Sequence, residues 1–149
     1  MTQKKVQPAR ILMVEDDEDD VLFTQRAMEK GNIWNQLDVV RNGQQALDYL
    51  HHEHDYADPA AYPRPDLILL DLNLPGIDGR EFLKRMSADP DLKNIPVAIT
   101  STSDYERDIE FGRAHGVQHY LIKPIQVDNL LQVFTTLPGF CLVFNKVIE

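Results

Sequence analysis

The sequence predicts an α/β domain with a doubly wound, parallel five-stranded sheet. Two observations lead to this prediction: short apolar runs recur along the 149 residues, and a segment whose apolar residues have helical spacing follows each run. Short apolar runs bounded by turn residues indicate buried strands, and their alternation with helices is typical of a parallel sheet covered on both faces. The predicted strands are Ile11–Val14, Leu37–Val40, Leu67–Leu70, Val97–Thr100 and Tyr120–Ile122.

The helical segments are delimited by turn and cap residues. The first, Asp19–Lys30, is followed by Gly31, a residue type that commonly ends helices. The second follows the turn pair Asn42-Gly43, the third follows Gly79, the fourth precedes Gly116, and the fifth follows the last strand. Apolar residues repeat at helical spacing in each of them, and in the last four these are Ala46, Leu47 and Leu50; Phe82, Leu83 and Met86; Ile109, Phe111 and Ala114; and Leu130, Leu131, Val133, Phe134 and Leu137.

Five parallel strands joined by right-handed crossovers most naturally adopt the flavodoxin-like (βα)5 order 2-1-3-4-5. This order is an expectation from general rules of topology and not from the periodicity of the sequence. Because no repeat or linker interrupts the pattern, we expect a single domain over residues 1–149, with residues 138–149 as an apolar C-terminal extension and no effector domain.

The segment from His51 to Pro65 does not fit the alternation of strands and helices. Its histidines could suggest a metal site, but none of their spacings matches a helical i,i+4 pair, and Pro59 and Pro63 prevent a helix from continuing. We expect a long solvated loop before the third strand.

Composition and charge restrict the partners and the compartment. The formal net charge is −9 at pH 7, whereas a surface that binds nucleic acid needs clustered Lys and Arg. The single cysteine, Cys141, cannot form an internal disulfide, which fits a reducing cytosol. The apolar stretch nearest the N-terminus, Ile11–Val14, is too short for a signal peptide or a membrane span. We therefore expect a cytoplasmic protein that binds neither nucleic acid nor membrane.

Acidic residues lie where two predicted strands end. Asp71 directly follows the third strand, and a run of six acidic residues directly follows the first. Since the carboxyl ends of parallel strands share one edge of the sheet, Glu15, Asp16 and Asp71 are expected to lie in one pocket. Two simpler interpretations remain open: Asp71 alone could form a turn, and the acidic run could begin a helix at the positive end of its dipole, the interpretation favoured for Asp19 and Asp20.

Carboxylates that share a pocket repel one another unless a cation neutralises them or their pKa values rise. Oxygen ligands suit a hard ion such as Mg²⁺ (or Mn²⁺), and these motifs do not supply the soft ligands that zinc or copper would need. We predict a Mg²⁺ site formed by Glu15, Asp16 and Asp71, to which Asn73 adds its backbone carbonyl. No organic cofactor is expected.

The last two predicted strands end in groups that suit phosphoryl transfer. Thr100–Ser103 supplies consecutive hydroxyls, which could otherwise simply cap the next helix. Lys123 follows the fifth strand and is held at its end by Pro124. In such a pocket Asp71 would attack phosphorus, Mg²⁺ and Lys123 would neutralise phosphoryl oxygens, and a hydroxyl would donate to another oxygen.

Together these motifs resemble those of the response-regulator receiver domain of two-component signalling. The resemblance covers nearly the whole chain, and its motifs occur in the expected order and spacing. Glutamate in place of the commoner first aspartate, and serine in place of threonine at the switch, are the departures from the family pattern. The motifs are Val14–Asp17, Leu70–Gly76 with Asp78-Gly79, Thr100–Ser103 and Lys123-Pro124.

The resemblance implies a role for each of these residues. A histidine kinase would phosphorylate Asp71, and the reoriented hydroxyl of Ser101 would bind the phosphoryl group while Tyr120 moves inward. The implied roles are the acidic metal pair for Glu15 and Asp16, the switch hydroxyl for Ser101, the characteristic lysine for Lys123 and the aromatic switch for Tyr120; further candidates are Asp17, Thr102, Ser103 and Pro124.

The chain is similar in particular to the small stand-alone regulators of cyanobacterial phytochrome kinases. Three features suggest this: the lengthened segment before the third strand, the Thr-Ser-Thr-Ser sequence and the apolar C-terminal tail. The resemblance implies a red/far-red photoreceptor histidine kinase as phosphodonor, and homodimers. The tail residues Phe140–Phe144 could belong to the core or contact a second subunit, and we expect the homodimer contact.

Other functions fit the sequence less well. A Mg²⁺-dependent phosphohydrolase of the haloacid dehalogenase type needs a titratable acid two residues after its nucleophile, where this chain has Asn73. A flavodoxin would bind phosphate where the acidic run lies, and like charges oppose this. A binding module without phosphorylation would lack some of the key positions, all of which are filled. We expect a phosphorelay regulator that signals through protein contacts. The alternative is a phosphotransfer intermediate or phosphate sink in a multistep relay. We expect no enzymatic activity beyond self-phosphorylation from a phosphodonor and slow self-dephosphorylation.

Overall fold

The computed structural model describes residues 7–74, 78–102 and 105–145. Five parallel strands form one sheet in the order β2-β1-β3-β4-β5, which confirms the predicted fold class and strand order. The strands are β1 (Ile11–Val14), β2 (Leu37–Val40), β3 (Leu67–Asp71), β4 (Val97–Ser101) and β5 (His119–Ile122). The helices are α1 (Glu18–Lys30), α2 (Gly43–His51), α3 (Gly79–Ala88), α4 (Tyr105–Ala114) and α5 (Val127–Thr136), and a 3₁₀ turn spans His54–Tyr56. Within the described ranges no helix has the length and apolar character needed to cross a membrane.

The strand boundaries follow the backbone ladder more closely than the apolar pattern. β1 and β2 begin and end where predicted, whereas β3 and β4 each extend one residue further, to Asp71 and Ser101. In the ladder Asp71 pairs with Thr100, and Ser101 pairs with Ile122. Backbone hydrogen bonds form whatever the side chain is, so these polar residues join the sheet although the hydrophobic pattern stops before them.

Alternate residues of the central strands fill two apolar cores. In β1, Leu12 and Val14 pack on the face covered by α2 and α3, while Ile11 and Met13 pack on the face covered by α1 and α5. This alternation has the period of two residues that a strand imposes. Because both faces are covered, β1, β3 and β4 are buried along their whole length.

Polar residues before three of the helices determine where those helices begin. The Asp17 side chain accepts hydrogen bonds from the backbone N–H groups of Asp19 and Asp20. Asn42 and Asp78 cap α2 and α3 in the same way. Such caps satisfy N–H groups that have no partner inside the helix. Asp17 is therefore the capping residue of α1, and Asp19 and Asp20 lie within its first turn.

The segment expected to be a long solvated loop is anchored to the core. His51 belongs to α2, and a 3₁₀ turn follows it. The rings of Tyr56 and Tyr62 pack on Tyr49 of α2, with centroid separations of 5.3 and 5.5 Å. The expectation of full solvation is therefore wrong for these two tyrosines, because aromatic side chains in a polar segment can still bury their rings when a core lies beneath them.

A buried asparagine holds the segment after α5 against the rest of the domain through hydrogen bonds. Asn35 is 6% exposed, and its Nδ2 donates to Ala9 O and Cys141 O, both over 2.8 Å. Its Oδ1 accepts a hydrogen bond from Val143 N over 2.8 Å. A single side chain thus joins the start of the chain to its C-terminal segment.

The apolar residues of the C-terminal segment divide between the core and the surface. The Phe140 ring stacks on Phe134 with a centroid separation of 4.9 Å, and Leu142 packs against the same core. Phe144 is 55% exposed and pairs with Ile33 in an isolated antiparallel bridge. Trp34, which follows Ile33 in the chain, is 70% exposed. Phe140 and Leu142 therefore contribute to the core of their own chain, and the expected contact with a second subunit stays a prediction.

A network of polar side chains surrounds Asp38 at the start of β2. Its carboxylate accepts hydrogen bonds from Tyr49 Oη (2.5 Å), Gln36 Nε2 (2.9 Å) and Arg10 Nη2 (3.1 Å). Although burial by itself raises the pKa of Asp38, the bonds from Tyr49, Gln36 and Arg10 outweigh burial and hold this pKa below its ordinary value of 3.8.

The substitution Tyr49→Phe is expected to lower the free energy of unfolding at neutral pH by about 1–2 kcal/mol, because it removes a hydrogen bond to a charged acceptor. The folded-state pKa of Asp38 is lowered, so this stabilisation is present above the unfolded pKa and is lost as the pH falls through the folded value. In urea unfolding, the free energy of unfolding of Tyr49→Phe should therefore differ less from that of wild type near pH 2.5 than at pH 7. Tyr62→Phe is the control, since its hydroxyl makes no hydrogen bond within the described part of the chain. Equal losses of unfolding free energy in Tyr49→Phe and Tyr62→Phe would contradict a stabilising hydrogen bond from Tyr49 to Asp38.

Candidate functional site

Side chains from three strand ends and one helix meet at the carboxyl edge of the sheet. Asp71 ends β3, Glu15 follows β1, Lys123 follows β5, and Asp20 lies in the first turn of α1. The Lys123 ammonium lies at the centre, with its Nζ 3.0 Å from Asp71 Oδ2, 3.0 Å from Asp20 Oδ2 and 2.5 Å from Glu15 Oε1. Three carboxylates therefore surround one cation.

Burial strengthens the electrostatic interactions among these groups. Glu15 is fully buried, and the side chains of Asp71 and Lys123 are 9% and 7% exposed. Burial raises the pKa of Glu15 to about 7; the Lys123 ammonium opposes this rise and the Asp71 charge adds to it. Burial by itself would lower the pKa of Lys123, but the carboxylates of Glu15 and Asp71 hold it above its usual range. The lysine is thus charged at neutral pH.

The arrangement of the carboxylates fits a hard divalent cation. Glu15, Asp16 and Asp71 each offer an oxygen, and these oxygens lie within 4.8 Å of one another. Glu15 Oε1 is buried against Lys123 Nζ. The carboxylates of Glu15, Asp20 and Asp71 share this one ammonium, and an excess of negative charge in a buried pocket is costly, so a bound cation would be favourable. The all-oxygen donor set suits Mg²⁺ or Mn²⁺ rather than a soft metal.

A second group of metal-ligating side chains lies at the end of α2. Oxygens of Asp48 and Glu53 and a ring nitrogen of His54 also come within 4.8 Å of one another. Glu53 and His54 are exposed, and the buried atoms without partners in the described ranges lie elsewhere. This group therefore has weaker support as a metal site than the pocket at the carboxyl edge.

The N-terminus of α3 approaches Asp71 so closely that only glycine fits. Gly79 N donates to Leu72 O over 3.2 Å. A Cβ atom at Gly79 would lie 2.1 Å from Asp71 O and 2.5 Å from Leu72 Cα. In the same turn, Asn73 N donates to Asp71 Oδ1 over 2.9 Å. The Asp78-Gly79 pair of the sequence therefore determines how α3 supports the last residue of β3.

The predicted hydroxyl and proline positions lie beside Lys123. Ser101 is buried at the end of β4, and its carbonyl accepts a hydrogen bond from Lys123 N over 2.8 Å. Thr102 is exposed and, with Lys123 and Pro124, lines a groove next to α1. The Lys123-Pro124 peptide is cis. Ser103 lies outside the described residues.

Tyr120 is half-buried between β5 and α4. Its hydroxyl lies within hydrogen-bond distance of Ile109 O (3.1 Å) and Val117 O (2.9 Å). A Cβ atom at Gly112 would lie 2.8 Å from the same hydroxyl, so α4 packs closely on the ring. Tyr120 thus already points inward here, whereas the sequence-based hypothesis assigned that position to the phosphorylated state.

The site differs from the predicted one mainly in the acidic run. Glu15, Asp16, Asp71 and Lys123 come together, but the Asp17 carboxylate caps α1. Asp20, expected only to favour the start of α1, reaches Lys123. Asp20 lies four residues before Thr24 and shares its helix face, but the burial of Thr24, which turns this face inward, is visible only in the structure.

Two further residues of the site, Arg80 and Asp108, were not predicted. Arg80 Nη1 donates to Asn73 Oδ1 over 3.0 Å, and Arg80 Nη2 donates to Asp108 Oδ1 over 3.2 Å. They lie on different helices, 28 residues apart. No local pattern connects them, so only the tertiary structure reveals the contact.

The fold and the charged pocket define a class of signalling domain. A family model described as "Response regulator receiver domain" matches residues 11–135, and the chain belongs to this family. The family implies phosphorylation of an aspartate, and its members are signalling domains that bind Mg²⁺ or Mn²⁺ at an acidic pocket. The predicted resemblance is confirmed.

Individual relatives point to the phytochrome branch of the family. The chain is 36% identical over 142 residues to response regulator Rcp1 of Synechocystis sp., and the match covers 95% of each protein. The phosphorylated cyanobacterial phytochrome response regulator RcpA is 40% identical, with a TM-score of 0.72 over 85% of this chain and 89% of that one. The Mn²⁺-bound form of Rcp1 is 35% identical, with a TM-score of 0.71 over 95% of this chain and 100% of that one. The chain is thus a receiver-domain response regulator related to those of phytochrome systems, which pair with histidine kinases.

The substitution Gly79→Ala is expected to lower the free energy of unfolding by about 1–3 kcal/mol, the usual cost of forcing an extra carbon into a packed region. The cause is the overlap of the new Cβ with Asp71 O, and urea denaturation measures the loss. Gly116→Ala is the comparison: nothing lies within 4 Å of its added Cβ, and its φ is +81°. That variant should report backbone strain alone, about 1 kcal/mol. A Gly79→Ala protein as stable as wild type would show that α3 does not need this close approach.

Proposed function

We propose that Asp71 accepts a phosphoryl group from a histidine kinase, with Mg²⁺ (or Mn²⁺) bound beside it, and that the phosphorylated domain signals through contacts with other proteins. The environment of the Asp71 carboxylate supports this proposal: Asn73 N donates to its Oδ1 over 2.9 Å, and Lys123 Nζ donates to its Oδ2 over 3.0 Å. A carboxylate held in one orientation next to a buried ammonium suits nucleophilic attack, because neither group has to reorganise when phosphorus arrives.

In the proposed transfer an oxygen of Asp71 forms a bond to the phosphorus of a phosphohistidine as the P–N bond breaks. The imidazole nitrogen leaves with the bonding electron pair, and the product is an aspartyl phosphate. Lys123, whose pKa is held above its usual range, keeps its proton and stabilises the phosphoryl oxygens. Ser101, at the end of β4, would donate its hydroxyl to another phosphoryl oxygen.

Glu15, Asp16 and Asp71 would hold the metal, and Asn73 would add its backbone carbonyl. When bound, the ion supplies positive charge that offsets the repulsion between the phosphoryl group and the carboxylates. The excess of carboxylates around the single ammonium of Lys123 supports this proposal, as does the Mn²⁺-bound form of the related Rcp1.

A phytochrome histidine kinase is the proposed phosphodonor, and the similarity to Rcp1 and to the phytochrome response regulator RcpA supports it. Movement of Ser101 towards the phosphoryl group would alter the α4–β5 surface at Tyr120. A phosphotransfer intermediate or phosphate sink is the alternative output. The proposed compartment is the cytoplasm, and the net charge of −9 supports the expectation that nucleic acid is not a partner.

An autophosphorylated phytochrome kinase should phosphorylate this chain faster than an unrelated histidine kinase does. Equal rates of phosphorylation would argue against a phytochrome kinase as the phosphodonor.

We also propose that the C-terminal segment contributes to a homodimer. Trp34 and Phe144 would form the contact, because they lie on paired segments and remain 70% and 55% exposed. Sedimentation velocity over a range of concentrations, with and without a phosphate analogue, tests this. A monomer at every concentration would refute it.

Incubation with acetyl phosphate and Mg²⁺ is expected to attach a single labile phosphoryl group, and Asp71→Asn should abolish it because an amide is a poor nucleophile. Intact-protein mass spectrometry detects the group, and its disappearance with time measures self-dephosphorylation. Asp19→Asn is the matched control, since it removes an exposed carboxylate from the same acidic run. Label that survives Asp71→Asn would overturn the assignment.

Mg²⁺ or Mn²⁺ is expected to raise the Tm of the protein, because binding to the folded state at about 100 Kd adds about 2.7 kcal/mol of stability. For a chain of this size that corresponds to a rise of roughly 5–10 °C. Asp16→Asn should weaken the metal affinity about tenfold or more while leaving the metal-free Tm near wild type, because Asp16 is exposed. Asp19→Asn should titrate like wild type. An Asp16→Asn protein with wild-type affinity would rule out this ligand set.

A further inference from the structure

A buried ion pair connects helix α4 to the turn that follows Asp71. Asp108, in α4, is 1% exposed, and its Oδ1 accepts a hydrogen bond from Arg80 Nη2 over 3.2 Å. Its Oδ2 is buried and has no hydrogen-bond partner among the described residues. Within that part of the chain, Arg80 is the cation that lies within 4.0 Å of this carboxylate. The burial of Asp108 therefore depends on Arg80.

The same guanidinium holds the turn that carries the phosphorylation site. Arg80 Nη1 donates to Asn73 Oδ1 over 3.0 Å and lies 3.3 Å from Leu72 O. Asn73 in turn donates its backbone N–H to Asp71 Oδ1 over 2.9 Å. One residue thus separates the guanidinium from the carboxylate of Asp71. The planar, many-donor guanidinium can serve both sides at once, which a lysine ammonium on a flexible stem does less well.

Helix α4 buries few apolar side chains. Among its residues with described side chains, only Asp108 and Gly112 are buried, while Ile109 and Phe111 are half-exposed. Arg80 makes a second contact with this helix, since its Cζ lies 5.8 Å from the centroid of the Phe111 ring. An element with few buried apolar side chains opens at low free-energy cost, so the ion pair adds to the packing of Phe111 on the core and of Gly112 on Tyr120 in holding α4.

We propose that Arg80 is a positioning residue that transmits the charge state of Asp71 to helix α4. The inference rests on the proposed phosphorylation of Asp71. Phosphorylation adds about one negative charge beside the turn that Arg80 holds, and this charge draws the guanidinium away from Asp108. The Asp108 carboxylate, left buried and without its cation, then favours a displaced α4 in which it reaches water. The displacement changes the surface that α4 forms with Tyr120.

Hydrogen–deuterium exchange of the α4 amides, with and without acetyl phosphate and Mg²⁺, tests the proposal. In the wild-type chain phosphorylation should raise the exchange rate about fivefold or more, the lower end of typical allosteric couplings. In Arg80→Met, α4 should exchange rapidly in both states, and the response should fall below about twofold. Arg85→Met is the matched control, because it removes an exposed arginine from α3, the helix that also carries Arg80, where Arg85 pairs with Glu81. It should keep the wild-type response.

A double variant separates transmission from simple support of the fold. Arg80→Met combined with Asp108→Leu replaces the ion pair by apolar side chains, which commonly preserves or raises stability. It should restore slow exchange in the resting state but not the response to phosphorylation. Asp108→Asn keeps the shape of the side chain but removes its charge, so the exchange of the α4 amides should no longer respond to phosphorylation. This variant tests the proposal even if Arg80→Met does not fold.

The outcomes distinguish this inference from the proposed function. The amount of acyl phosphate is measured in every variant before exchange. A wild-type chain that takes no label refutes both proposals. Labelled Arg80→Met or double-variant protein that responds like wild type refutes the role of Arg80 and leaves the phosphorylation of Asp71 standing.

Discussion

The carboxyl edge of this sheet is organised around one buried ammonium group. Lys123 lies among the carboxylates of Glu15, Asp20 and Asp71, so the pocket carries more negative than positive charge. Burial is the main cause of the rise in the pKa of Glu15 to about 7, and the nearby charge of Asp71 adds to it. Buried negative charge in excess also favours the binding of a cation. The same excess of negative charge makes the pocket sensitive to any further charge, because its charged side chains are held close together and cannot move apart.

The sheet supplies the rigidity that this arrangement requires. β1, β3 and β4 are buried along their whole length, and the parallel ladder sets Asp71 beside Thr100. Gly79 allows α3 to meet the end of β3 without a gap. Since the charged side chains project from strand ends and a helix turn that are packed on both sides, the fold holds like charges together that would move apart in a flexible loop.

Helix α4 is the element in which the polar contacts of the pocket converge. Gly112 brings it against the Tyr120 hydroxyl, and Asp108 joins it to Arg80. These contacts add to the packing of the half-buried Phe111 on the core, whereas α2 and α5 each present several buried apolar side chains. A helix held in this way can shift without opening the core, which suits the surface of a signalling domain.

The sequence by itself determined the fold class and the strand-end positions of Glu15, Asp16, Asp71 and Lys123, because an apolar run followed by a charge is a local pattern; the strand order followed from general rules of topology. It could not separate Asp17 from Asp20, since a single residue of helix register decides which side chain caps α1 and which faces Lys123. Nor could it predict the packing of Tyr56 and Tyr62 or the pairing of Arg80 with Asp108 across 28 residues. Only the tertiary structure decided which charges meet, because distances between side chains on different elements depend on how helices pack against the sheet and not on their spacing along the chain.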